Sequence, residues 1–91
     1  MNLHEARLET LMTQQEISVA LGISHSHYHY IETYRSIPSV ILAMKISLIV
    51  GVPVAELFDP SNYSYDQLHR SRVRLLMKLD GRTSVVEQKR S

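Results

Sequence analysis

The sequence predicts an all-α domain, and three observations lead there. Apolar residues recur at helical spacing along most of the chain, and no run of four or more residues alternates apolar and polar between turn residues as a half-buried strand would. Gly22 and Gly51 each stand just past an apolar-periodic stretch, where glycine is favoured after a helix end. Thr13, Ser24 and Ser39 stand just before such stretches, where a side-chain oxygen caps the first free backbone N–H groups.

Taken in order, a first helix is expected over about Leu3 to Leu11. Thr13 with Glu16 three residues on has capping-box spacing, so a second helix should run from Gln14 to Leu21, with Ile17, Ala20 and Leu21 on one face. Ser24 restarts a helix that lasts to about Thr33, with Ile23, Tyr28 and Ile31 facing inward and Ser26, Tyr30 and Thr33 outward. Pro38 and Ser39 open a fourth helix that closes at Val50, and a short fifth runs from Val54 to about Phe58, ended by Asp59-Pro60. Asp66 to Leu79 is read as a sixth helix, with Leu68, Arg72, Leu75, Leu76 and Leu79 along one side. From Gly81 the chain is polar. The expected organisation is a domain over 1–60, a helical extension over 61–80 and a flexible tail over 81–91.

Ninety-one residues make one small domain. With no cysteine, disulfides and thiolate metal sites are excluded, and a reducing, cytoplasmic home is the simplest reading. The first seven residues are charged and lack an apolar block, so no secretory signal is expected. The most apolar stretch, 46–55, is interrupted by Gly51 and Pro53 and is half the length needed to cross a bilayer, about 20 residues, so no membrane association is expected. The net charge of +1 conceals an asymmetry: residues 1–62 carry three basic and six acidic side chains, whereas 63–91 carry seven basic and three acidic. A basic segment suits nucleic acid or another acidic partner.

The gap between the second and third helices, Leu21-Gly22-Ile23-Ser24, is a short turn containing glycine. Two short helices joined in this way form a helix-turn-helix unit, whose second helix can enter a major groove. Thr13-Gln14, Glu16-Ile17, Leu21-Gly22-Ile23-Ser24, Ser26, Ile31-Glu32, Pro38-Ser39, Lys45-Ile46, Gly51-Val52 and Glu56-Leu57-Phe58 follow in order over about residues 3 to 58. In these residues the chain resembles the Cro/CI-type helix-turn-helix family of phage repressors and xenobiotic-response-element-like bacterial regulators. The resemblance implies a compact five-helix, lambda-repressor-like domain, here with an extra C-terminal helix.

The resemblance also implies roles. Gln14 matches the position that binds a backbone phosphate, at a helix N-terminus that itself favours anions. Ser24, at the start of the third helix, counts with the DNA-facing residues; His25, Ser26, His29 and Tyr30 fall at base-reading positions, and His27, Thr33 and Arg35 where sugar-phosphate is touched. Arg7 and Glu32 match a largely buried salt bridge between the first and third helices. The function implied is a sequence-specific DNA-binding transcriptional regulator, a repressor acting as a homodimer on a palindromic operator, with double-stranded DNA as partner and no cofactor.

Some residues depart from the family pattern. The third helix has no lysine or arginine, although arginine to guanine is the commonest specific base contact, so readout would fall to histidine, serine and tyrosine with water and DNA shape. Tyr28 takes a core position usually aliphatic, so its hydroxyl needs a partner, and Tyr34 stands where glycine is frequent. The fourth helix is apolar almost all round, with Ile41, Leu42 and Leu48 where the family is mostly polar, which marks an interaction surface for a second subunit or for the 66–79 helix. These features keep a second reading open: a helix-turn-helix-fold protein-interaction module of antirepressor or antitoxin type with weak or no DNA binding. His25 and His29, four apart, share a helical face, but no third and fourth ligand lies at a matching offset, so no metal site is expected. Ser24 to His27 alternate serine and histidine without an acidic partner or oxyanion-hole motif, so no enzyme is expected.

Overall fold

A computed structural model describes residues 1–70 of the chain. Five α-helices follow in order: α1 (Leu3–Glu9), α2 (Gln14–Leu21), α3 (His25–Glu32), α4 (Val40–Val50) and α5 (Val54–Leu57), then a 3₁₀ turn at Pro60–Asn62. Residues 65–70 are helical as well; the rest of the expected 66–79 helix and the tail from 81 lie outside the described residues. Among the described residues there is no strand.

The caps account for the helix boundaries. Asn2 accepts from the Glu5 N–H at 2.8 Å to start α1. Thr13 and Glu16 form the reciprocal capping box, each side chain accepting from the other's backbone N–H, at 3.1 and 3.0 Å. Ser24 and Ser39 cap α3 and α4 by accepting from His27 and Leu42 N–H. Gly22 ends α2 with φ of 73°, a left-handed conformation that is inexpensive only without a Cβ, and lets the Ile23 N–H reach back to the Ser18 carbonyl.

Helix α1 stops two residues short of the expected Leu11. The Thr10 hydroxyl and N–H both donate to the Arg7 carbonyl, and Leu11 swings into the left-handed region at φ 64° with its side chain in solvent. Tyr34 occupies the other left-handed non-glycine position, at φ 60°. Its side chain explains why tyrosine is held there: the hydroxyl accepts from Leu3 N–H at 3.1 Å and donates to the Leu57 carbonyl at 2.8 Å, and the ring meets Tyr63 edge-on. Tyr34, two residues past α3, thus fastens α1 to α5, offsetting a conformational cost of about 1–2 kcal/mol.

Leu3, Ala6, Ile17, Leu21, Tyr28, Ile31, Ile46 and Leu57 form the core, with Met12, Ile23, Leu42, Ile49, Val50, Val52 and Phe58 packed around it. Leu42 therefore differs from Ile41 and Leu48: it leans on the core, whereas those two are 64% and 84% exposed. Val40 and Met44 join them on an outer apolar face of α4. No single described helix is long and apolar enough to cross a membrane.

Candidate nucleic-acid interface

Helix α3 divides cleanly. Tyr28, Ile31 and Glu32 are buried, while His25, Ser26, His27, His29, Tyr30 and Thr33 are exposed. Ser24 is also exposed, but its hydroxyl is committed to the cap. Gln14, at the first position of α2, lies beside this outer face, and with His25, Ser26, His29, Tyr30 and Arg35 it lines a concavity of about 480 Å³. Among the described residues, the positive charge here comes from Arg35, whose guanidinium sits over the Tyr30 ring 5.9 Å from its centroid. His27 and Thr33 are exposed but do not line the concavity, and the Thr33 hydroxyl donates to the His29 carbonyl. Among the described residues, no group of three or more histidine or acidic side chains is placed to hold a metal.

Beneath this surface lies a buried carboxylate. Glu32 accepts from Arg7 Nε at 2.6 Å, from Arg7 Nη2 at 3.2 Å, from the Tyr28 hydroxyl at 2.9 Å and from Gln14 Nε2 at 2.7 Å. His4 Nδ1 lies 3.2 Å from it. Arg7 also donates to the Met12 carbonyl at 2.8 Å, tying the α1–α2 loop into the same cluster. Burial alone would push the Glu32 carboxyl up, but the hydrogen bonds from Arg7, then Gln14, Tyr28 and His4, outweigh it and hold the group at about 2. Burial and the neighbouring carboxylate raise the Tyr28 phenol well above the usual tyrosine range, so it stays a donor. The buried tyrosine hydroxyl thus has its partner.

The family resemblance implies Arg7 and Glu32 as a buried pair but not His4 as a member of the cluster. The signal was available: His4 and Arg7 stand three apart and share a face of α1. Gln14 also sits differently from a plain phosphate ligand. Its amide nitrogen reaches inward to Glu32, and its carbonyl oxygen lies 3.0 Å from His25 Nε2 and 3.3 Å from His29 Nδ1.

A glycine-closed helix, a tight turn and a second helix with a polar exposed face and a buried anchoring carboxylate constitute a helix-turn-helix unit of the kind that DNA-binding transcriptional regulators use. The chain matches the family described as Helix-turn-helix over residues 3–57, and it belongs to that family, of the Cro/CI type. It is also similar to the cryptic phage CTXphi transcriptional repressor RstR of Vibrio cholerae, 27% identical over 78 residues that cover 86% of this chain and 70% of that protein. No solved structure matches it. Family and relative together make it a DNA-binding regulator rather than an enzyme.

Proposed function

We propose that this protein is a cytoplasmic transcriptional repressor that binds a palindromic operator as a homodimer, with α3 in the major groove. The observation that carries this reading is the outer face of α3, polar and exposed over His25, Ser26, His29 and Tyr30 while its inner face is locked through Glu32 to α1 and α2. On this reading Gln14, through its backbone N–H at the N-terminus of α2, and the exposed His27, Thr33 and Arg35 would meet sugar-phosphate. The similar RstR protein is itself a transcriptional repressor. Protection mapping of the DNA upstream of the protein's own coding sequence tests the reading. A symmetric footprint with half-sites about 34–36 Å apart is expected. If no DNA is protected at low salt, the protein-interaction module of antirepressor or antitoxin type becomes the better reading.

The dimer would form through the outer face of α4, where Val40, Ile41, Met44 and Leu48 stand exposed together. Half-buried Leu42 would support this surface from beneath. Sedimentation at micromolar concentration should give a dimer, and Leu48→Glu should give a monomer with operator affinity reduced at least about tenfold, because a charge in an apolar interface is left unpaired. A monomeric unmodified protein would rule out this interface.

A further inference from the structure

Gln14 is the only link between the buried carboxylate and the outer face of α3 among the hydrogen bonds of the described residues. The direction of that link follows from elementary chemistry. Glu32, paired with Arg7 and accepting from the Tyr28 hydroxyl, is a carboxylate and can only accept. The Gln14 atom 2.7 Å from Glu32 Oε2 must therefore be the amide nitrogen, which turns the carbonyl oxygen toward α3. That oxygen has two lone pairs and two imidazole nitrogens facing it, His25 Nε2 at 3.0 Å and His29 Nδ1 at 3.3 Å. Since it cannot donate, both nitrogens must carry the proton. A neutral imidazole has one N–H and one lone pair, so His25 Nδ1 and His29 Nε2 are left bare. Among the described residues neither has a hydrogen-bond partner, both side chains are exposed, and both line the concavity with Ser26, Tyr30 and Arg35.

We propose that Gln14 is a positioning residue that sets the tautomers of His25 and His29, so that α3 presents two imidazole lone pairs to the major groove, where they accept from base amino groups, N4 of cytosine or N6 of adenine. The base-reading half rests on the regulator reading above; the tautomer half is a property of the free protein. Helix α3 carries no lysine or arginine, so it lacks the usual arginine donor to guanine. Two acceptors read the opposite signal, the exocyclic amino group, which the major groove displays for adenine and cytosine alone. The chain from Arg7 through Glu32 and Gln14 consists of charge-assisted and neutral hydrogen bonds among packed side chains, so this preference is built in before DNA arrives.

His29 is the discriminating residue, because imidazoles free in water favour the Nε2–H form and His29 is held in the other. The test is long-range ¹H–¹⁵N correlation of the imidazole nitrogens in ¹⁵N-labelled protein at about pH 9, above the ordinary histidine range. His29 should show a protonated Nδ1 and a bare Nε2, with His25 the reverse. In Gln14→Ala, His29 should revert to Nε2–H, while His27 and His69 give the same signals in both proteins. The wild-type spectrum decides the tautomers whether or not the variant folds. A wild-type His29 in the Nε2–H form, or an Nδ1–H form that survives Gln14→Ala, would overturn the proposal. Selection from randomised duplexes at the same pH supplies the second readout. Wild type should enrich adenine or cytosine opposite both histidines, and Gln14→Ala should lose about threefold to tenfold of that preference opposite His29. Enrichment of guanine at those positions would refute the base contacts. If the wild-type protein binds no duplex, the regulator reading fails and the base contacts with it, while the tautomers stand or fall on the spectrum.

Discussion

Arg7→Ala is expected to remove about 3–5 kcal/mol of folding stability, among the largest effects of any single change in the chain. The loss does not come from the ion pair in isolation. Glu32 would keep Tyr28, Gln14 and His4 as neighbours but would be a buried carboxylate without its countercharge, and the Met12 carbonyl would lose its donor as well. Lysine at position 7 should recover part of the loss, since a single ammonium cannot meet Glu32 with two nitrogens and also reach Met12. Removing the cluster altogether should be milder than breaking it, provided Tyr28 is changed too. With Glu32→Leu alone the Tyr28 hydroxyl would be stranded in the core, so Arg7→Met, Tyr28→Phe and Glu32→Leu belong together. Urea unfolding of the four proteins checks the order: wild type, then the triple variant, then Arg7→Lys, with Arg7→Ala the weakest. An Arg7→Ala protein that melts within a degree or two of wild type would show that Arg7 does not hold Glu32.

Acid should unfold the protein through the same carboxylate. Glu32 sits at about 2 in the folded chain against an ordinary 4.5, so its depressed value contributes stability that is fully present above about pH 4.5. That contribution is lost as pH falls from about 4.5 to about 2, and amounts to about 3 kcal/mol. Glu16 and Asp59, held below the ordinary range by the backbone and side-chain groups they cap, act in the same direction. Glu32→Gln should start less stable at neutral pH and show a much flatter acid limb. Parallel stability-versus-pH curves for the two proteins would remove Glu32 as the main acid-sensitive group.

What could be read from the sequence follows the range over which each feature acts. The ends of α2 are local: a capping box and a glycine, all within ten residues, so Gln14 to Leu21 needed no tertiary information. The end of α1 was obscured because Leu11 continues the apolar period, yet it lies in solvent, and the Thr10 side chain stops the helix before it. Tyr34 keeps a left-handed backbone where glycine is usual because its hydroxyl spans from Leu3 to Leu57, contacts 31 and 23 residues apart in the chain. The helical period places His25 and His29 on one face of α3, but only the packing of α2 against α3 brings the Gln14 oxygen between them. The buried anchor was legible through family resemblance at Arg7 and Glu32; the threads leading from it to the surface were not.

On the proposed reading, the outer face of α3 meets DNA. The most direct test of that contact is to titrate ¹⁵N-labelled protein with the protected operator duplex and follow the backbone amides. The largest shifts are expected at Gln14, across residues 24–30 and at Thr33 to Arg35, lost together as salt is raised because phosphate contacts release counterions. Shifts confined to Val40, Ile41, Met44 and Leu48 with α3 unmoved would contradict it.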